Sequence, residues 1–202
     1  NFRQMLMKYR NNLHKIEGVL IDIAIKLAKQ NKGCLFVIKL DGLKYETLIP
    51  QDVKPFNIID NQRRLEALAL LDGACIIDKN GKLIAYSAKV KNTKVFKGFG
   101  TRHGAGFTAS LNKNIAILAS EEDIKVRIFK NGKLIMQIDP MEKNIEHRTK
   151  EAVNVLESIG AGSIATIGTG IIAPTLGITL LPGIVIFGST YYLIKLLKKW
   201  KQ

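Results

Sequence analysis

The chain has 202 residues, room for one sizeable domain and an added segment, and 47% of them are hydrophobic, an ordinary share for a globular protein. Its net charge of +14 suits nucleotide phosphates or an anionic membrane surface. The lysines are scattered rather than blocked, which argues against a dedicated DNA-binding arm, and no nucleic-acid partner is expected. Cys34 and Cys75 both lie in apolar runs and read as buried, reduced thiols rather than as a disulfide framework or a metal site.

In chain order, Leu13, Ile16, Leu20, Ile23 and Leu27 recur at helical spacing, which predicts an amphipathic helix over about 10–30, ended by Asn31-Lys32-Gly33. CLFVIKL (34–40) reads as a buried strand, 41–60 as irregular, and NQRRLEALALL (61–71) as a short helix. Two strand pairs follow, at 72–78 with 82–90 and at 125–129 with 133–139. Both are joined through Asn-Gly, which predicts tight type I′ turns. Between them stand a helix over about 103–111 and the strand NIAILAS (114–120). The class is α/β, a mixed β-sheet flanked by helices. The domain is expected over 1–140, with a linker and helix over 141–157. No secretory signal precedes it, and the chain opens on Asn1 rather than Met.

Residues 158–194 carry no charge, and all 17 acidic residues precede them. A membrane helix needs about 20 apolar residues, and Pro174 divides the run. The expectation is therefore a C-terminal hydrophobic helical hairpin over 158–202 that crosses a membrane through 158–194. Its basic ends, Arg148 and Lys150 before and four lysines after, place the nucleotide domain on the cytoplasmic face of the cell membrane. Small-residue stripes such as Ala161, Ala165, Thr169 and Ala173 suit close helix packing in a bilayer.

The stretch GFGTRHGAGF (98–107) leads into a helix start. There, backbone N–H groups and the helix dipole favour an anion, Arg102 adds a guanidinium fork and Thr101 a hydroxyl. Asp72, Gly73 and Ala74 open one strand; Ser120, Glu121 and Glu122 close another. Carboxylates beside phosphate donors also suit Mg²⁺ or Mn²⁺.

LDGA (71–74), GTRH (100–103) and SEE (120–122), in this order and spacing, resemble the diadenylate cyclase domain of the DNA-integrity-scanning family over about residues 10–140. The resemblance implies a nucleotidyltransferase that condenses two ATP into cyclic di-AMP with release of two pyrophosphates, from two copies of the domain facing each other. It further implies that Asp72 activates the ribose hydroxyl and holds metal, and that Leu71, Gly73 and Ala74 line the adenine and ribose. Gly100, Thr101, Arg102 and Ser120 would bind phosphate, and His103 and Glu121 would stand near the triphosphate or the metal, so that the implied catalytic set is Asp72, Arg102 and His103 and the implied metal ligands are Asp72 and His103. The family's second motif reads Arg-His-Arg; here it is Arg102-His103-Gly104. One guanidinium is missing, and losing one transition-state donor costs about 10²–10³ in rate. A second expectation follows from that departure: a nucleotide-binding sensor or effector that acts on the membrane through its hairpin without turnover.

Overall fold

The structure, a computed structural model, describes residues 2–94, 101–146, 171–173 and 178–187. Helix α1 (Phe2–Lys29) starts well before the apolar repeat that predicts it. Ile16, Leu20, Ile23 and Leu27 on that repeat are buried. Strands β1 (Cys34–Lys39) and β2 (Tyr45–Thr47) follow, the second inside the segment expected to be irregular. Then come α2 (Gln62–Ala69), β3 (Ala74–Asp78), β4 (Leu83–Val90), α3 (Thr101–Ala109), β5 (Ile115–Ser120), β6 (Lys125–Lys130) and β7 (Lys133–Ile138). Strands β8 (Ile171–Ala173), β9 (Ile178–Leu181) and β10 (Ile184–Phe187) complete the described elements.

The described strands form one mixed sheet in the order β2-β4-β3-β1-β5-β6-β7-β10-β9-β8. Its centre is a parallel β1–β3 pair, with Leu35 opposite Ala74, and an antiparallel β1–β5 pair, with Cys34 opposite Ala119. Side chains alternate across a strand, and β1 divides accordingly. Cys34, Phe36 and Ile38 join the core under α1 and α2, while Leu35 and Val37 join a smaller core under α3 with Ala116, Leu118 and Phe129. The sheet is therefore sandwiched between helices on both faces, which explains its nearly continuous apolar central strands. Both cysteines are buried, and burial pushes the Cys34 thiol up to about 12.

Only one Asn-Gly joint closes as expected. Asn131 and Gly132 both have positive φ, 52° and 65°, the type I′ pattern. At the other joint only Gly81 does, with φ 82°. The Asp78 carboxylate accepts the N–H groups of Asn80 and Lys82, each at 2.8 Å, and this side-chain bonding selects a longer loop.

The expected membrane hairpin is not what the described part of 158–202 forms. Residues 171–173, 178–181 and 184–187 are strands, and β10 pairs with β7, Ile184 opposite Ile138. No helix among the described residues is long and apolar enough to cross a membrane. The physical reason lies in Pro182-Gly183, inside the span of the second helix. Proline breaks a helix interior, and Gly183, at φ 75°, supplies the turn that reverses ITLL onto IVIF. Ile, Val and Thr around the turn favour strands. The remaining residues of that run, the small-residue stripe at 161–169 included, lie outside the described residues.

Candidate active site

Sheet topology brings three chain segments to one end. β1 and β3 run parallel and β5 runs opposite, so the starts of β1 and β3 meet the finish of β5. Gly33 precedes β1, Asp72 and Gly73 precede β3, and Ser120 ends β5 with Glu121 and Glu122 just beyond. The first turn of α3 supplies Thr101, Arg102 and His103. Together Asp72, Thr101, Arg102, His103, Leu118, Ser120, Glu121 and Glu122 line a cavity of about 240 Å³. Asp72 and Arg102, far apart in sequence, face the same space.

Glycines set this geometry. Gly73 has φ 95°, and a Cβ there would stand 2.8 Å from the Ala88 nitrogen. It closes β3 onto β4 at an irregular register, where Ser87 also has a positive φ of 48°. Its N–H donates to the Asp72 carboxylate at 2.9 Å, which holds that exposed side chain at the cavity rim. A Cβ on Gly33 would come 2.2 Å from Nη1 of Arg102, so the guanidinium lies directly on the Gly33 backbone. From there Nη1 donates to Glu121 Oε1 at 2.9 Å. Gly33 serves the site as well as ending α1, a role its place in Asn31-Lys32-Gly33 does not announce.

Beneath the cavity lies a network that sequence reasoning missed. Arg127, on β6, is buried. Its Nη1 stands 3.0 Å from Nε2 of His103 and 3.0 Å from Oδ1 of Asp123; Nη2 meets Oδ2 of Asp123, and Nε donates to Gln137 at 3.1 Å. The Arg127 hydrogen bonds hold the Asp123 carboxyl down at about 2. Burial lowers the His103 pKa, with the Arg127 charge acting the same way. The available signal was a lone arginine at an inward position of the apolar strand KVRIF.

The other expected residues divide. Leu71 is exposed beside the site, and Ala74 is buried at the start of β3. Gly100 lies outside the described residues. Gly104 is buried in α3, and a Cβ there would stand 2.1 Å from the Lys94 carbonyl oxygen. Three lysines near the motifs, Lys97, Lys113 and Lys125, are candidates to replace the missing guanidinium: Lys97 lies outside the described residues, Lys113 precedes β5 at the end of that strand away from the site, and Lys125 is paired with Asp139 at 2.7 Å. Among the described residues no group of three or more His, Cys, Asp or Glu is arranged to hold a metal.

The fold and site define an α/β domain whose mixed sheet, covered by helices on both faces, opens at one end into a cavity lined by charged and hydroxyl side chains. The model of the DAC family, described as DisA bacterial checkpoint controller nucleotide-binding, matches residues 23–134, and the chain belongs to that family. It is 32% identical over 162 residues to a diadenylate cyclase of Haloferax volcanii, covering 69% of this chain and 60% of that protein. To a diadenylate cyclase of Methanocaldococcus jannaschii it is 35% identical over 138 residues, covering 60% of this chain and 44% of that one. The chain thus spans about half the length of these curated relatives. Among solved structures, DacA from Staphylococcus aureus overlaps 68% of this chain and 94% of its own at 22% identity, with a TM-score of 0.45.

Proposed function

We propose that this domain is a diadenylate cyclase: two copies, each holding one ATP, face each other and condense the pair into cyclic di-AMP. Each ribose 3′-oxygen attacks the α-phosphorus of the facing nucleotide, the bond to the pyrophosphate leaving group breaks, and the hydroxyl proton is lost. The product carries two new phosphodiester bonds, and two pyrophosphates depart. The observation that carries this reading is the convergence of Asp72, Arg102, Ser120 and Glu121 on one cavity.

In this reading Asp72 orients and polarises the attacking hydroxyl, while Thr101, Arg102 and Ser120 grip the triphosphate. Such chemistry depends on positioning and charge neutralisation. A divalent cation fits the Asp72 carboxylate, because Mg²⁺ commonly takes one or two carboxylates and completes its shell with substrate phosphates and water. It would neutralise developing charge on the triphosphate. His103 fits such an ion less well, since its Nε2 faces a guanidinium.

The test is incubation of the purified protein with ATP and Mg²⁺ or Mn²⁺, with product read by mass. Cyclic di-AMP and pyrophosphate in a one-to-two ratio are expected, lost in Asp72→Asn and on addition of EDTA. A dimeric preparation that forms no product at any nucleotide concentration sinks the proposal. The backbone filling the space beside Gly104 favours a second reading, a nucleotide-binding module without turnover; saturable ATP binding with no product would select it.

A further inference from the structure

Arg127 belongs to neither the sequence motifs nor the cavity lining, yet it holds the most committed side chain near the site. An arginine has five N–H donors and no acceptor, and it stays charged in proteins. Four of Arg127's five are spoken for: one by Gln137, two by the Asp123 carboxylate and one by His103. With its charge matched by Asp123 and its fork already filled, Arg127 is not a spare phosphate ligand standing in for the guanidinium absent at Gly104. What it can do is dictate the state of His103. A donor-only group 3.0 Å from Nε2 requires that nitrogen to accept. The ring proton must then sit on Nδ1, and a second proton would set N–H against N–H.

We propose that Arg127 is a positioning residue that fixes His103 as the neutral, Nδ1-protonated tautomer. His103 then stands uncharged at the cavity wall, and its Nε2 is closed to a metal ion. Asp123 and Gln137 keep the guanidinium in register by gripping its other edges. This shifts the burden of cationic phosphate binding in the first turn of α3 onto Arg102. It also leaves the cavity's carboxylates, Asp72 foremost, as the side chains that would hold a divalent cation. The tautomer assignment stands on geometry alone; its kinetic consequence rests on the cyclase reading.

The experiment is long-range proton–nitrogen NMR on the ¹⁵N-labelled protein at neutral pH. Three histidines are present, and the His103 pattern is identified by its disappearance in His103→Gln. A protonated Nδ1 with an unprotonated Nε2 is expected in the wild type. Arg127→Met is expected to abolish the preference and Arg127→Lys, which keeps one donor, to retain much of it. In an active preparation Arg127→Met lowers kcat by up to about 10²-fold, the effect of a group displaced by about 1 Å, with KM changed less. A wild-type His103 protonated on Nε2 or on both nitrogens overturns the proposal, as does Arg127→Met with an unchanged tautomer. If Arg127→Met does not fold, the wild-type and Arg127→Lys spectra decide. If the wild type makes no product, the cyclase reading fails while the spectra still judge the tautomer.

Discussion

Gly33→Ala separates nucleotide binding from folding. A Cβ at position 33 would lie 2.2 Å from Nη1 and 3.1 Å from Cζ of Arg102. Ordinary contact begins near 3.4 Å, so the guanidinium must retreat by about 1 Å or more. The obstacle is the far end of a flexible side chain, and Gly33's own φ lies outside the left-handed region, so alanine fits the backbone. Arg102 is 35% exposed and Glu121 52%; loosening a surface ion pair of this kind costs about 0–1 kcal/mol. Alanine for glycine returns about 0.4–1 kcal/mol by restricting the unfolded chain. The two nearly cancel, and Tm is expected to stay within about 3 °C of wild type. Binding is different. A charge-assisted hydrogen bond contributes about 1.5–3 kcal/mol, so if Arg102 grips phosphate as proposed, Gly33→Ala is expected to weaken ATP binding by about 10–150-fold. Calorimetric titration with ATP, beside a thermal melt of the same sample, reads both quantities. An unchanged affinity in Gly33→Ala would show that Arg102 does not touch the nucleotide, and the phosphate assignment would fall with it.

At Gly73 and Gly104 the obstacle is backbone rather than the end of a side chain. Gly104→Ala sets a Cβ against the Lys94 carbonyl; overpacking of this sort costs about 1–3 kcal/mol, visible as a Tm drop of roughly 2–12 °C. Gly104→Arg, though it restores the family's motif letter for letter, is expected to be less stable still and to raise neither product formation nor ATP affinity. Gly73→Ala adds a left-handed residue, φ 95°, to contacts of 2.8 Å with β4. A loss of about 2 kcal/mol or more and a Tm lower by at least roughly 4 °C are expected in a melt. Asp123 contributes to acid stability, as its folded pKa of about 2 lies below the ordinary 3.8. The stability it lends is complete above about pH 5 and is lost progressively as pH falls through its folded pKa of about 2. Urea titrations across that window are expected to show a steeper decline for wild type than for Asp123→Asn.

Much of the candidate site was legible because its residues are adjacent in sequence. Asp72 with Gly73, Thr101 with Arg102 and His103, and Ser120 with Glu121 each form a short word, and alternating apolar runs place those words at strand ends. What joins them is not local. The parallel pairing of β1 with β3 and the antiparallel pairing of β1 with β5 decide that Gly33 shares an end of the sheet with Asp72 and Glu121. Nothing in Asn31-Lys32-Gly33 signals that a guanidinium from 69 positions later rests on it. Arg127 was hidden for a similar reason: lysines and arginines are so common here that one more in a strand carries little signal until its burial is known.

The C-terminal run shows how a global property can mislead when a local one decides. An absence of charge over 37 residues fits a membrane and the interior of a sheet equally well, since both exclude water. Length favoured the membrane; the dipeptide Pro182-Gly183 and its β-branched neighbours favoured the sheet, and turn chemistry prevailed where the structure describes the chain. Gly104 teaches the same lesson at a single position. As a letter it is a missing arginine. In space it is where α3 and the chain at Thr93 and Lys94 come closest, the Lys94 carbonyl occupying the volume that any side chain would need. Gly104 is therefore tied to the path of the chain at Thr93 and Lys94, and in the proposed cyclase the cationic grip of the motif falls to Arg102 without a second arginine.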